Sequence, residues 1–232
     1  MKLRFPAPRR ALTWLAVLCL ALPAAALYQR LAILFEANFD VAGAPGGGSL
    51  PAQVGQFNVP SQPAEFSVVP GDGGGQLKIE DNGTTAAAVL EAQFKKLFVG
   101  QDLLLEWSVQ PMQSGAKLVV SAQDAGDTGL IDCTMDDDGT VDVGGMDTGY
   151  TYAAGNVYRF HLLLKDPLAG NGSWTLDIES PGLPPFEATG AFDAGVLFTG
   201  KSMRFTRPAN EGPGKFLVDD IRVSTQSYSA NW

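Results

Sequence analysis

The one histidine of the 232-residue chain sits in the strongest chemical setting that the sequence offers. Tyr158 to Lys165 alternates Tyr158, Phe160, Leu162 and Leu164 with Arg159, His161, Leu163 and Lys165, the period of two expected of a strand with one dry face. Arg159, His161 and Lys165 therefore share the opposite face, an imidazole able to take a proton beside cations able to neutralise a carboxylate. An ordinary solvated strand would present the same residues. Trp174 to Glu179 alternates in the same way and puts Asp177 and Glu179 on one side. Asp136-Asp137-Asp138-Gly139 has the look of a calcium loop, but Thr134 and Gly145 stand where its first Asp and its bidentate Glu belong, so it is read as a hairpin turn. The glycine-rich stretches at 43–48 and 71–75 lack the Lys-Ser/Thr ending of a phosphate loop, and no nucleotide cofactor is expected.

The elements that must position these groups follow a leader. Lys2, Arg4, Arg9 and Arg10 precede the apolar run from Ala11 to Leu22, then Pro23 and Ala24-Ala25-Ala26. This is the pattern of a signal peptide over residues 1–26, cut after Ala26, so the expected destination is secreted or periplasmic. The run falls well short of the roughly 20 residues needed to cross a bilayer, and no permanent membrane span is expected after cleavage. Removing the leader takes four of the 16 basic side chains and none of the 25 acidic ones, leaving 12 against 25 and a net charge of −13. Such a surface repels phosphate backbones and excludes nucleic acid as the main partner. Cys133 is then the one remaining cysteine, so neither a disulfide, nor a thiolate zinc site, nor a redox cofactor is expected.

From residue 31 onward the apolar period is two, broken every eight to fifteen residues by Gly, Pro, Asn and Asp. Leu103, Leu105, Trp107 and Val109 share one face of a strand, with Leu104, Glu106, Ser108 and Gln110 on the other. Residues 131–136 and 140–143 form a hairpin, and 165–172 is a longer hairpin loop. Around Ala86 to Leu97 a helical and an extended reading compete, and the need for sheet partners favours the strand. Ten to thirteen short strands without a βαβ rhythm predict an all-β fold, a two-sheet antiparallel β-sandwich over residues 27–226, followed by a short polar tail at 227–232. The strands at 31–39 and 216–223 are expected to pair and so protect the chain ends.

An initial strand ending in Phe39-Asp40, the hairpin of residues 131–143, Gly155-Asn156-Val157-Tyr158-Arg159-Phe160, Trp174-Thr175-Leu176-Asp177-Ile178 and Phe216-Leu217-Val218-Asp219-Asp220-Ile221 follow one another in an order that resembles the concanavalin A-like, laminin-G-like jelly-roll superfamily. The similarity spans about residues 31 to 224 and lies in pattern, with no diagnostic motif. Lectins, carbohydrate-binding modules and polysaccharide-degrading enzymes share this shape, so the resemblance implies a fold more sharply than an activity. Hydrolases of this shape carry a Glu-x-Asp-x-x-Glu strand; here Thr175 and Ser180 occupy the places of both glutamates around Asp177.

The expected function is that of a secreted module without catalysis that binds carbohydrate, such as a polysaccharide or cell-surface glycan, or another extracellular surface. Tyr150, Tyr152, Arg159 and His161 are the expected ligand contacts, the two tyrosines lying two residues apart in a loop from Met146 to Gly155. One alternative is a polysaccharide-active, lyase-like enzyme using His161 and Arg159; another is a structural envelope or matrix domain without a small ligand. Jelly-roll modules hold calcium near their first and last strands, which points to a structural calcium on Asp40 and Asp219.

Overall fold

A computed structural model describes residues 28–37, 39, 56–61, 65–71, 74–80, 86–94, 101–123, 129–167, 172–191, 202–209 and 214–229. They form the strands β1 (Tyr28–Ala37), β2 (Gln56–Ser61), β3 (Phe66–Gly71), β4 (Gly74–Glu80), β5 (Ala88–Gln93), β6 (Gln101–Pro111), β7 (Leu118–Gln123) and β8 (Gly129–Met135). The series continues with β9 (Thr140–Val143), β10 (Met146–Thr151), β11 (Tyr158–Lys165), β12 (Ser173–Glu179), β13 (Phe186–Ala191), β14 (Ser202–Arg207) and β15 (Lys215–Ser229). The leader and Asp40 lie outside the described residues.

Two antiparallel sheets build the sandwich. The eight-stranded sheet runs β13-β12-β11-β6-β15-β4-β3, with β1 beside β15, and the seven-stranded sheet runs β10-β9-β8-β7-β14-β5-β2. β15 is the hinge of the first sheet: it pairs with β6 along one edge and with β4 and then β1 along the other. The expected closure of the two chain ends is therefore present, with Phe35 opposite Val223 and Ala37 opposite Ile221. β15 also runs on to Ser229, into the segment expected as a tail, where Ser227–Ser229 pair with Tyr28–Arg30.

The alternation read from the sequence is the alternation of burial. Leu103, Leu105, Trp107 and Val109 of β6, and Phe160, Leu162 and Leu164 of β11, are all buried between the sheets, facing a second layer that includes Leu90, Leu118, Val120, Ala122, Met203 and Phe205. Each such side chain contributes about 1.5–3 kcal/mol by leaving water. Within 86–97, the described residues Ala88–Gln93 form strand β5, with Ala88, Leu90 and Ala92 buried. Trp107 and Trp174 are core, as is Cys133, whose thiol is pushed far above its ordinary pKa first by burial and then by Asp132 and Asp142. A buried ion pair, Arg207 Nε to Glu65 Oε2 at 2.6 Å and Nη2 to Oε1 at 2.9 Å, ties the end of β14 to the segment before β3.

Fifteen strands are present among the described residues, more than the ten to thirteen expected. One of the extra strands is β10, in the segment read as a loop from Met146 to Gly155. Gly144 and Gly145, at φ of +60° and +75°, form a two-residue hairpin turn of the kind that suits sheet twist, and this returns the chain to pair Met146 with Val143. At the other edge, Gly190 of β13 lies opposite Trp174, and its missing side chain makes room for the indole. A Cβ there would sit 2.4 Å from Trp174 Cζ2. Gly190→Ala is therefore expected to lower stability by about 1–3 kcal/mol, the usual range for overpacking, read as a lower denaturation midpoint at unchanged slope.

Candidate functional site

In an antiparallel sheet, directly opposed residues point to the same side. Register alone thus assembles a row of polar side chains across the outer face of the larger sheet. Glu187 of β13 faces Asp177 of β12, Asp177 faces His161 of β11, His161 faces Glu106 of β6, Glu106 faces Arg222 of β15, and Arg222 faces Glu36 of β1. One row away, roughly 7 Å along the strands, Glu179, Arg159, Ser108 and Asp219 are opposed in the same manner.

At the centre, His161 Nδ1 lies 3.2 Å from Glu106 Oε1, and Arg222 Nε lies 3.8 Å from Glu106 Oε2. Glu106 is therefore shared between an imidazole and a guanidinium. The His161 pKa is raised from its ordinary 6.5, first by the hydrogen bond to Glu106, against the opposing effect of burial, with smaller contributions from Glu106, Glu179 and Asp177 charges. With the carboxylate as acceptor, the neutral imidazole carries its proton on Nδ1 and leaves Nε2 as a free base. The Arg159 side chain is exposed beside this pair. Beneath them, on the inner face, Trp107 and Phe160 stack with centroids 4.9 Å apart and planes 5° apart, which holds β6 and β11 in register under Glu106 and His161.

The row borders a depression of about 300 Å³ whose polar lining includes Glu36, Glu106, Ser108, Arg159, His161 and Arg222. Asp220 also lines it, at φ +52° in a β-bulge, and accepts a hydrogen bond from Ser108 Oγ at 3.4 Å. Two further depressions adjoin it, one sharing Arg159 and the other sharing His161.

Of the residues expected from sequence, His161 and Arg159 come together here. Tyr150 and Tyr152 do not. Pairing with Val141 turns Tyr150 toward the core, where its ring meets Tyr158 and Phe186 at centroid distances of 6.1 and 5.0 Å. Tyr152 is 9% exposed, and its hydroxyl donates to Ala116 O at 3.0 Å and also meets Asp136 O. The tyrosine pair expected to stack on a sugar is thus packed against the sandwich, away from His161. Asp219 accepts the backbone N–H of Asp220 at 2.8 Å; Asp40, its expected calcium partner, is outside the described residues. Among the described residues no group of three or more His, Cys, Asp or Glu side chains is arranged to hold a metal. Glu106 and Arg222 were missed as site members, because only strand order brings them to His161.

No family model matches the sequence, and no curated protein matches it. Among solved structures, the Lotus tetragonolobus seed lectin superposes with a TM-score of 0.57 at 8% identity, over 86% of this chain and all (100%) of that one. A sialidase superposes at 0.55 and 16% identity over 72% of this chain, which spans only 16% of that protein's length. The marine alginate lyase from Aplysia kurodai superposes at 0.51 and 8% identity, over 69% of this chain and 87% of that one. The fold is thus a two-sheet jelly-roll sandwich shared by lectins and polysaccharide-active enzymes. The expectation of a module without catalysis is corrected at this point. The similar structures include an alginate lyase as well as a lectin, and the outer face carries a His161–Glu106–Arg222 network.

Because His161 is the one histidine in the chain, its titration is open to direct measurement by NMR. Its midpoint is expected above 6.5 and, in Glu106→Gln, displaced downward toward 6.5. The pair's contribution to stability is complete below the unfolded midpoint and is lost as pH rises through the raised folded one. A wild-type midpoint at or below 6.5 would contradict the hydrogen bond.

Proposed function

We propose that the chain is a polysaccharide lyase, cleaving a uronate-containing glycan by β-elimination on the outer face of its larger sheet. The observation that carries this reading is the His161–Glu106 hydrogen bond, which fixes one imidazole nitrogen and presents the other to a groove that also contains Arg159 and Arg222. The likeness in fold to a marine alginate lyase supports it. Export to the periplasm or outside the cell, expected from the leader, belongs to the same proposal.

The chemistry asks for three things, and the groove offers each. A proton on the carbon next to the uronate carboxylate is acidic only when that carboxylate's developing second charge is neutralised, the work assigned to Arg159 with Arg222. Neutral His161 takes that proton on Nε2 while Glu106 holds Nδ1–H and stabilises the imidazolium as it forms. The C–H electron pair becomes the new C=C bond and the bond to the glycosidic oxygen breaks. The leaving oxygen then receives a proton from the imidazolium when both groups lie on one face of the ring. No metal or redox partner enters this balance.

The neutral imidazole is the active form, so the rate is expected to rise with pH through the raised His161 midpoint, and Glu106→Gln to displace that limb downward while lowering the rate. Formation of unsaturated ends, followed by ultraviolet absorbance over a panel of uronate polymers, tests the reading. His161→Ala should lose about 10²–10⁴-fold in kcat, and Arg159→Ala about 10²–10³-fold. Elimination that survives His161→Ala, or none from any uronate polymer, would overturn it.

A further inference from the structure

The charges of the groove are not evenly spread. Its cations, Arg159 and Arg222, lie in the central depression with His161. The depression that continues from His161 across β12 and β13, about 540 Å³, is lined by Leu104, Leu163 and Pro185 together with Asp177, Glu179 and Glu187, while Ile178 and Phe186, which also border it, turn their side chains inward. Among the described residues, and apart from His161, its lining carries no cation. Lys165 shares the outer face but stands two residues beyond Leu163 on β11. On the other side of Arg159, a depression of about 610 Å³ is walled by Val157, Pro181, Leu183 and Pro185, with Glu179 and Ser180. Val157 and Leu183 are 38% and 46% exposed, an apolar ledge beside the arginine.

From these observations, and resting on the lyase reading above, we propose that the substrate is a mixed polysaccharide in which a uronate at the cleavage position is flanked by uncharged sugars, and that a polymer charged on every ring is rejected. Strands lie about 4.8 Å apart, so Asp177 and Glu187 stand roughly 5 and 10 Å from His161 across the sheet, the nearer inside and the farther just beyond the Debye length of about 8 Å at physiological salt. A sugar seated there with its own carboxylate meets like charges, and among the described residues no arginine or lysine lines the depression to offset them. A neutral ring meets what sugars are held by, apolar surface for its C–H face with carboxylates to accept from its hydroxyls. The net charge of −9 over the whole chain acts in the same direction, repelling dense polyanions at a distance while admitting sparsely charged ones. Selection against the wrong substrate by placed like charges is a general device of specific sites.

The test compares two sets of polymers with the full chain: polymannuronate, polyguluronate, polygalacturonate and polyglucuronate, charged on every ring, against hyaluronan and gellan, in which glucuronate is bounded by uncharged sugars. Unsaturated ends should form at least ten-fold faster, in kcat/KM, from a mixed polymer than from any fully charged one. Glu187→Lys should narrow that ratio several-fold by placing a cation in the flanking depression. Equal or faster cleavage of a fully charged polymer overturns the inference and leaves the lyase reading standing. If no polymer gains unsaturated ends, the lyase reading falls and this inference falls with it.

Discussion

The stacking of Phe160 on Trp107 across β11 and β6 is the interaction on which the outer face depends. The two rings are directly opposed in the ladder and nearly parallel, and each belongs to a strand whose next residue points the other way. Side-chain direction has a period of two, so a slip of one residue in β11 would bury His161 and Arg159 and expose Phe160 and Leu162. A slip of that kind would cost several buried side chains at once, each worth about 1.5–3 kcal/mol. The hydrophobic layer thus sets the position of the polar layer. His161 meets Glu106 because Phe160 must meet Trp107.

Arg222 reaches the same row by a different device. Between β6 and β15, Asp219 opposes Ser108 while Arg222 opposes Glu106, so three steps on β15 match two on β6. Without the extra residue Ile221 would stand opposite Glu106 on the outer face, and Arg222 would point inward opposite Leu105. The bulge corrects both: Ile221 is fully buried and Arg222 joins the ion pair. Asp220 absorbs the irregularity at φ +52°, a region that Asp tolerates better than most residues. Bulges of this kind recur where a strand must re-aim a side chain toward a site.

Local alternation made most of the sandwich legible in the sequence. Tyr158 to Lys165, Leu103 to Gln110 and Trp174 to Glu179 each revealed a dry face, and the triplet of aspartates before Gly139 revealed a turn, where Asp138 Oδ1 accepts the Thr140 N–H. β10 escaped because Met146 to Thr151 has no apolar alternation; its pairing comes from the turn at Gly144-Gly145. The site was half legible. Arg159 and His161 announce a shared face because they lie two apart on one strand, whereas Glu106 and Arg222 come from strands 55 positions before and 61 positions after His161. Which strands neighbour β11, and where β15 bulges, are properties of the folded sheet that no local period encodes. Tyr150 and Tyr152 show the converse error: spacing put them on one side, but not which side, and the pairing with Val141 decided for the core.

Two of the carboxylate–cation arrangements among the described residues differ in a way that bears on what each is for. Glu65 and Arg207 are 0% and 1% exposed, doubly bonded, and line none of the three depressions. Removing one partner there would strand a buried charge, a loss of about 3–5 kcal/mol, so the pair is part of what holds the sandwich edge together. His161, Glu106 and Arg222 are 36%, 21% and 32% exposed, in contacts of 3.2 and 3.8 Å. Pairs with that much water around them contribute about 0–1 kcal/mol to stability, and the fold would stand without them. Six charged or titratable side chains have nonetheless been brought to one row across six strands, at a bulge and beside a groove, where threonines or serines would have kept the face soluble. The core sets the register, the charges placed on it return little stability, and on the lyase reading their value lies in orienting a proton acceptor toward something outside the chain.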